Sequence, residues 1–299
     1  KKFFEQGTGF PKFKKKGIKD SYTTNNQKGT VALTYNSVKL PKIGHIKAKI
    51  HRRINGLIKS ATISATPSGK YFVSLLVETV VEPLPKTYSN IGIDLGLTNF
   101  IVLSDSTKVA NPRFLSKLKD KLAREQKILA KRREVAKAQQ RKLSDSRNYQ
   151  KQKVKVAKIY EKITNQRLDF LHKLSFNIIK NHDVIAIEDL NIKGMVKNRK
   201  LAKAINDSSW SVFTIMLAYK AEWYDKALVR IDQWYPSSKT CSGCDYVLGK
   251  DDLKLSDRLW DCPRCLQTHD RDINASINIL NQGLILVKQS KTVGAIGLA

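Results

Sequence analysis

IGIDLGLTNF, residues 91–100, ends a short apolar run with an aspartate and continues into a glycine turn. The apolar residues predict a strand over residues 91–94 and a second strand over residues 100–105. Binding and catalytic sites of α/β sheets form where the strands end. We therefore interpret Asp94 as the first residue of a functional site on an α/β sheet.

Two chemistries use such an opening. In actin-like ATPases a loop of this kind holds the phosphates of ATP, and in RNase H-like nucleases the aspartate holds a metal ion. The ATPase needs further glycine-rich loops downstream, but every glycine after Gly96 stands alone and no Walker motif occurs. The sequence therefore favours the metal interpretation, with Gly92 and Gly96 giving room for close backbone packing.

Two more acids stand at comparable places. Glu188 follows the apolar run VIAI, and Asp272 lies in HDRDINASI. Asp189 could replace Glu188, and either Asp270 or Asp272 could cap the apolar helix that follows. Three converging carboxylates repel one another, and Mg²⁺ or Mn²⁺ relieves that repulsion. Two such ions about 3.5–4 Å apart can clamp a phosphodiester for hydrolysis.

The cysteines form a second metal motif. Two C-x2-C pairs are separated by 17 residues, and their members are Cys241, Cys244, Cys262 and Cys265. This spacing is typical of a structural Zn²⁺ site, because four thiolates close the coordination shell. Disulfides are the alternative interpretation, but bonds within two such short C-x2-C pairs would cross-link little of the chain. We expect His269, just beyond the last pair, to be non-ligating.

The charge of the chain points to a polyanionic partner. Lysine and arginine number 55 against 26 acidic residues, a formal net charge of +29. Residues 1–60 hold 15 basic and 2 acidic side chains, and residues 111–173 hold 20 and 6. Such an excess favours nucleic acid or an anionic membrane surface. Without a signal peptide or an apolar run of about 20 residues, we expect a cytoplasmic protein with no membrane partner.

The remaining patterns outline the architecture. Residues 31–80 are predicted to form strands, with a hairpin over residues 61–80. Residues 1–30 are predicted to be a basic arm, and residues 111–180 an antiparallel helical hairpin broken at residues 144–148. The polar, basic segment 195–210 is expected to be a mobile loop.

The motifs IGIDLGLTNF, IAIEDLNIKGM, SSKTCSGCDY, CPRC and HDRDINASINI occur in that order. Together they resemble the TnpB (OrfB) family of bacterial insertion sequences, which is related to the type V CRISPR effector nucleases. The resemblance implies a RuvC-like nuclease of RNase H fold that binds a guide RNA, cuts target DNA and is nucleoid-associated. It places Asp94, Glu188 and Asp272 on the metal-binding acids of the family, beside a zinc ribbon that positions the target strand.

The resemblance also predicts the domain organisation. Residues 1–86 are expected to form a partial, wedge-like β-barrel, and residues 87–235 a RuvC-like core containing the helical hairpin. The zinc ribbon is expected over residues 236–268 and the last RuvC segment over residues 269–299. Family members carry more N-terminal sequence, so we expect the chain to begin inside the barrel.

Two other functions are compatible with the sequence. The chain could be a nuclease-inactive or truncated binder of nucleic acid, whose function would depend on the basic blocks alone. It could also be a transposase, as the history of the family suggests. The five histidines form no His-x-His pair, so the sequence gives no sign of the metal site used in tyrosine-dependent strand joining.

Overall fold

A computed structural model of the chain describes residues 20–249, 252–254 and 256–296. The chain divides into two compact units, one of Lys1–Val80 with Leu122–Glu161 and one of Val81–Lys121 with Lys162–Ala299. Most of the predicted basic arm, residues 1–19, lies outside the described residues. The domain boundaries drawn from the motifs remain predictions.

The first unit contains two antiparallel sheets of three strands each. Their strands are β1 (Ser21–Asn25), β2 (Ala32–Leu33), β3 (Ser37–Leu40), β4 (Gly44–Lys47), β5 (Leu57–Ala65) and β6 (Tyr71–Glu78). One sheet has the order β1-β5-β6 and the other β2-β3-β4. Val38 and Leu40 of one sheet pack with Ala61 of the other. The hairpin predicted over residues 61–80 is confirmed, whereas two separate sheets do not confirm a barrel.

The second unit is built on a five-stranded mixed sheet, which confirms the α/β class. Its strands are β7 (Asn90–Leu95), β8 (Asn99–Leu103), β9 (Lys108–Ala110), β10 (Val184–Glu188) and β11 (Ala227–Ile231). The order is β11-β10-β7-β8-β9, with β11, β10 and β7 parallel. Strands β8 and β9 continue the sheet antiparallel. The central strands are nearly continuous apolar runs because both faces of the sheet are covered.

Seven helices occur in the described part of the chain. They are α1 (Phe114–Lys117), α2 (Lys119–Ala138), α3 (Arg147–Asn181), α4 (Ile192–Met195), α5 (Arg199–Ser208), α6 (Trp210–Trp223) and α7 (Arg271–Ile296). Helices α2 and α3 form the predicted hairpin, with the predicted break between them. Over the described residues, no helix is both long enough and apolar enough to cross a membrane.

The prediction of a mobile loop over residues 195–210 is wrong, because most of this segment is helical. Asn198 caps helix α5, and its side-chain oxygen accepts a hydrogen bond of 3.1 Å from the Lys200 amide. Ile205 and Ser208 are buried on one face of α5. The many lysines hid this pattern, since they occupy the solvent face of an amphipathic helix.

The two faces of the central sheet have separate cores. Ile185 and Ile187 share one core with Phe100 and Phe213, whose rings meet edge to face at 5.1 Å. Ala186 faces the other way, because side chains alternate along a strand. It packs with Ile279 of helix α7.

Helix α7 lies directly on strand β7 at Gly92. A Cβ atom at Gly92 would collide with the backbone carbonyl of Ser276 and lie 2.8 Å from the Cβ atom of Leu280. A Cβ atom at Gly283 would lie 2.5 Å from that of Ala186. The absence of side chains therefore lets the helix backbone approach the sheet, as the sequence predicted for Gly92.

We expect Gly92→Ala to destabilise the protein by about 1–3 kcal/mol, because overpacking must push helix α7 off strand β7. Urea unfolding measures the effect. Ile93→Val in the same strand is the control, since it removes one buried methyl group and should cost about 0.5–1.5 kcal/mol without moving the helix. A Gly92→Ala protein as stable as wild type would contradict this close contact.

Candidate active site and metal centre

Two of the predicted site residues leave the sheet at the same edge. Strands β7 and β10 are parallel, and their last paired residues are Ile93 and Ile187. The next residue of each strand is an acid, Asp94 or Glu188. Neighbouring strands lie about 4.8 Å apart. Both carboxylates are partly buried beside one another at the carboxyl ends of the parallel strands.

Asp272 reaches this edge from helix α7. It lies in the first turn of the helix, which begins directly after strand β13 (Thr268–Asp270). Asp270 caps the helix, since its Oδ1 accepts hydrogen bonds of 3.1 Å from the amides of Asp272 and Ile273. Its other oxygen accepts a 2.6 Å hydrogen bond from Lys108 Nζ. The capping role thus belongs to Asp270, which leaves the carboxylate of Asp272 directed to other partners.

Asp94 interacts electrostatically with the other two acids. Burial, followed by the negative charges of Asp272 and Glu188, raises the pKa of Asp94 from 3.8 to about 7. Burial also raises the pKa of Glu188, although a hydrogen bond from Ser237 opposes the change. The structure therefore brings Asp94, Glu188 and Asp272 together at a place where a negative charge on Asp94 is disfavoured.

Neighbouring polar groups hold two of the acids. Ser237 Oγ lies 3.5 Å from Glu188 Oε1, and Arg258 Nη1 lies 3.3 and 3.2 Å from the two oxygens of Asp272. The alternative acid, Asp189, is exposed and pairs with Arg230 at 3.0 Å. Sequence reasoning missed Ser237 and Arg258, because each comes from a loop that only the fold brings to the acids.

The four cysteines form a compact cluster. Within the described residues, theirs is the one group of three or more potential ligand atoms that all lie within 4.8 Å of one another. The Sγ atoms are 3.6 Å apart in the pairs Cys241–Cys265 and Cys244–Cys262. A tetrahedral zinc with Zn–S bonds of about 2.3 Å places its sulfurs about 3.8 Å apart. The cysteines are free thiols in a geometry that fits a metal ion.

The electrostatics of the thiols favour a cation. Burial raises the pKa of the Cys241 thiol to about 12. Burial opposes ionisation at Cys262 as well, but hydrogen bonds from the amides of Cys265 and Arg264 lower its pKa to about 6. One thiolate is therefore stabilised by the backbone, while a buried thiol beside it needs a positive charge to ionise.

His269 contacts this cluster without belonging to it. Its Nε2 lies 3.0 Å from Cys241 Sγ, and its ring packs against Trp260 with 4.7 Å between the centroids. The side chain is buried, and β12 (Leu259–Asp261) pairs Trp260 directly with His269. Sequence reasoning set His269 aside as non-ligating and did not foresee this hydrogen bond. The thiol of Cys241 can donate this bond to an unprotonated Nε2, whereas a Cys241 thiolate would accept it from the tautomer that carries its proton on Nε2.

Helix α7 also holds the first cysteine pair in place. The buried amides of Asn274 and Asn278 donate hydrogen bonds of 2.7 and 2.6 Å to the carbonyl of Thr240. Asn274 Oδ1 accepts a hydrogen bond of 2.9 Å from the Ser242 amide. One helix therefore carries Asp272 and the groups that fix the cysteine cluster.

The two sites differ in how closely their donor atoms are gathered. Unlike the thiols, the carboxylates of Asp94, Glu188 and Asp272 do not all lie within 4.8 Å of one another. Arg258 neutralises part of their charge through Asp272. Hard carboxylate donors fit Mg²⁺ or Mn²⁺, and soft thiolates fit Zn²⁺.

We expect Asp94→Asn to stabilise the metal-free protein, and more strongly at pH 8 than at pH 5. The pKa of Asp94, about 7 in the fold and 3.8 ordinarily, makes the native state bind more protons between these values. Stability therefore falls as pH rises through this window. The gap between the two pKa values corresponds to at most about 4 kcal/mol.

Urea unfolding in buffer without added divalent cations measures this effect. Asp189→Asn is the matched control, because its exposed carboxylate should give a difference that hardly changes between the two pH values. If Asp94→Asn changed the free energy of unfolding equally at pH 5 and pH 8, the fold would not raise the pKa of Asp94.

Comparison with known proteins identifies two regions of the chain. Residues 72–199 match the model of the OrfB_IS605 family, described as a probable transposase. Residues 210–279 match the Cas12f1-like TNB domain. Two structures of Cas12f complexes are also similar. The "CRISPR-Cas12f Ternary Complex" has a TM-score of 0.46 at 16% identity, covering 76% of this chain and 46% of the other. The "Cas12f1-sgRNA-target DNA complex" has a TM-score of 0.45 at 13% identity, and the match covers 94% of this chain and 74% of the other.

Curated relatives show the family. A protein of Escherichia coli named "Putative RNA-guided DNA endonuclease InsQ" is 31% identical over 95% of this chain and 71% of its own length. A Streptomyces pristinaespiralis protein named "Putative RNA-guided DNA endonuclease" is 42% identical over 75% of this chain, and the match spans 53% of that relative. The matched region of a Mycobacterium tuberculosis relative, 29% identical, is 61% of its length. The chain therefore belongs to the TnpB (OrfB) family.

Proposed function

We propose that the protein is an RNA-guided DNA endonuclease of the TnpB type, which hydrolyses phosphodiester bonds at a RuvC-like site of three carboxylates. The observation that carries the proposal is the convergence of Asp94, Glu188 and Asp272, whose charges and burial raise the pKa of Asp94 to about 7. A carboxylate with a purely structural role would not be stabilised by burial beside two other acids. Perturbed carboxylates at strand ends are typical of catalytic sites.

In this proposal the three acids hold Mg²⁺ or Mn²⁺. When bound, the metal supplies an activated water and stabilises the leaving oxygen of the phosphodiester. Ser237 orients Glu188 through its hydroxyl group, and Arg258 balances the charge of Asp272. Asp270 fixes the first turn of α7 and thereby the position of Asp272.

The positive charge of the chain and its family support guide RNA and target DNA as the partners. The net charge of +29 suits binding to the phosphates of a guide RNA and of target DNA. The protein need not recognise the target sequence itself, because pairing between guide and target can do so. The relatives named as RNA-guided DNA endonucleases support this part of the proposal.

The cysteine cluster is proposed to hold structural Zn²⁺ through Cys241, Cys244, Cys262 and Cys265. Its role is to fix the ribbon that contributes Arg258 and leads through strand β13 into α7. His269 is proposed to donate its Nε2–H to the Cys241 thiolate, as ligand-supporting hydrogen bonds commonly do.

We expect Asp94→Asn, Glu188→Gln and Asp272→Asn each to lower RNA-guided plasmid cleavage by more than about a hundredfold, since even outer partners of metal ligands contribute 10–100-fold. The assay uses the full chain with the RNA encoded beside it, in Mg²⁺ or Mn²⁺. Asp189→Asn is the matched control and should cut like wild type, because Asp189 pairs with Arg230 on the surface.

The same assay distinguishes the alternatives. Cleavage that survives the three substitutions would contradict the assignment of the site. Metal-dependent cutting that does not require the RNA would support the nuclease activity and contradict the RNA-guided part of the proposal. Tight RNA binding with no cutting of double- or single-stranded DNA would favour the nuclease-inactive binder.

We expect His269→Leu to weaken zinc binding by about 10–100-fold, because Cys241 loses its hydrogen-bond donor. His269→Gln should retain most of the affinity, since its amide can still donate. Competition with a chromophoric chelator measures the affinity, and the thiolate-to-cobalt absorption band of Co²⁺-substituted protein reports on the four thiolates without reference to cleavage. Identical zinc affinity and identical spectra for the Leu and wild-type proteins would contradict this role.

A further inference from the structure

A cavity of 390 Å³ lies beside the turn that follows Asp94. Leu97 and Thr98 of that turn form part of its wall. Four exposed cationic side chains also line it, namely Arg113, Lys119, Lys200 and Lys203. Its volume is in the range of small ligand sites. None of the residues so far assigned to the acids or the cysteine cluster lines it.

The charge inside this cavity is not balanced by the protein. Within the described part of the chain, none of the four cations has a carboxylate ion-pair partner. The one acid in the wall, Asp207, is already engaged, at 2.6 Å by Arg167 Nη2 and at 3.3 Å by the Leu115 amide. Like charges around one cavity repel one another, and an anion bound between them relieves that repulsion.

The cavity has a fixed frame. The Asn111 side chain donates hydrogen bonds of 3.1 Å to the carbonyl of Leu97 and 3.0 Å to Ser208 Oγ. These bonds tie the turn after Asp94 to helix α5, which carries Lys200 and Lys203. The backbone of α5, from which Lys200 and Lys203 project, is therefore tied to the turn that follows strand β7.

Arg113 has an unusual backbone. Its φ of 49° and ψ of 50° lie in the left-handed region, which non-glycine residues rarely adopt. Its amide donates a hydrogen bond of 3.2 Å to Asn111 Oδ1, so the same asparagine that frames the cavity also supports this conformation. Glycine would fit the backbone better but would contribute no charge, which indicates that the guanidinium group has a use.

We propose that this cavity binds a backbone phosphate of the DNA strand that the three acids cut. The inference rests on the proposed function and adds a subsite to it. Thr98 follows Asp94 by four positions, so their Cα atoms lie at most about 14 Å apart. At a rise of about 3.4 Å per nucleotide, the bound phosphate lies within about four nucleotides of the cut.

The experiment measures binding of a fluorescent single-stranded DNA by anisotropy, without added divalent cations, at several salt concentrations. Replacing one phosphate at a time by a neutral methylphosphonate locates the phosphate in the cavity. We expect one position, within about four nucleotides of the cut, where the replacement weakens wild-type binding severalfold. The double variant Lys200→Ala/Lys203→Ala should bind the DNA more weakly, and the methylphosphonate replacement should not weaken its binding further. The slope of log binding constant against log salt concentration should be shallower by about 0.7 in this variant.

Two further proteins separate charge from folding. Lys86→Ala/Lys180→Ala removes the same charge from exposed positions outside the cavity and should respond to the methylphosphonate like wild type. Arg113→Gly should keep or raise the melting temperature, because glycine suits the left-handed backbone, and yet lose affinity.

The outcomes are distinguishable from those of the nuclease assay. If no position couples to Lys200 and Lys203, the phosphate site is wrong even when cleavage is normal. If coupling appears with RNA and not with DNA, the assignment to the DNA strand is wrong. Coupling to DNA in a protein that never cuts would support the cavity and overturn the nuclease proposal.

Discussion

The contact between helix α7 and strand β7 at Gly92 is the constraint on which the candidate site depends. Because no side chain separates them, the helix lies against the strand that carries Asp94. The same helix begins with Asp272, so this one contact sets how an acid on the sheet faces an acid on a helix. Asn274 and Asn278 of this helix also hold the first cysteine turn, which links the thiol cluster to the acids.

The acid site and the thiol site share one electrostatic feature, which is a buried group that resists ionisation. Each site contains a buried group whose ionisation is unfavourable unless a cation is near. Burial raises the pKa values of both Asp94 and Cys241, to about 7 and about 12. At the acids, Arg258 supplies part of the missing positive charge. At the thiols, backbone amides donate hydrogen bonds to Cys262, and the imidazole of His269 shares a hydrogen bond with Cys241.

The sequence predicted the parts of the site that have a local signal. Asp94 and Glu188 end apolar strands, and the cysteine spacing is visible without a fold. Ser237, Arg258 and His269 could not be found this way, because their contacts join residues that are distant in the chain. Helix α5 was missed because its apolar face is narrow, and the barrel was expected from strands whose pairing the pattern does not specify.

Asp94, Glu188 and Asp272 are proposed here to form one divalent-cation site. Titration of Mn²⁺ into the full chain, followed by electron paramagnetic resonance, tests it most directly. We expect saturable Mn²⁺ binding that Asp94→Asn, Glu188→Gln and Asp272→Asn each abolish or greatly weaken, while Asp189→Asn leaves it unchanged. Mn²⁺ binding that is equal in all five proteins, or absent from wild type, would contradict the claim.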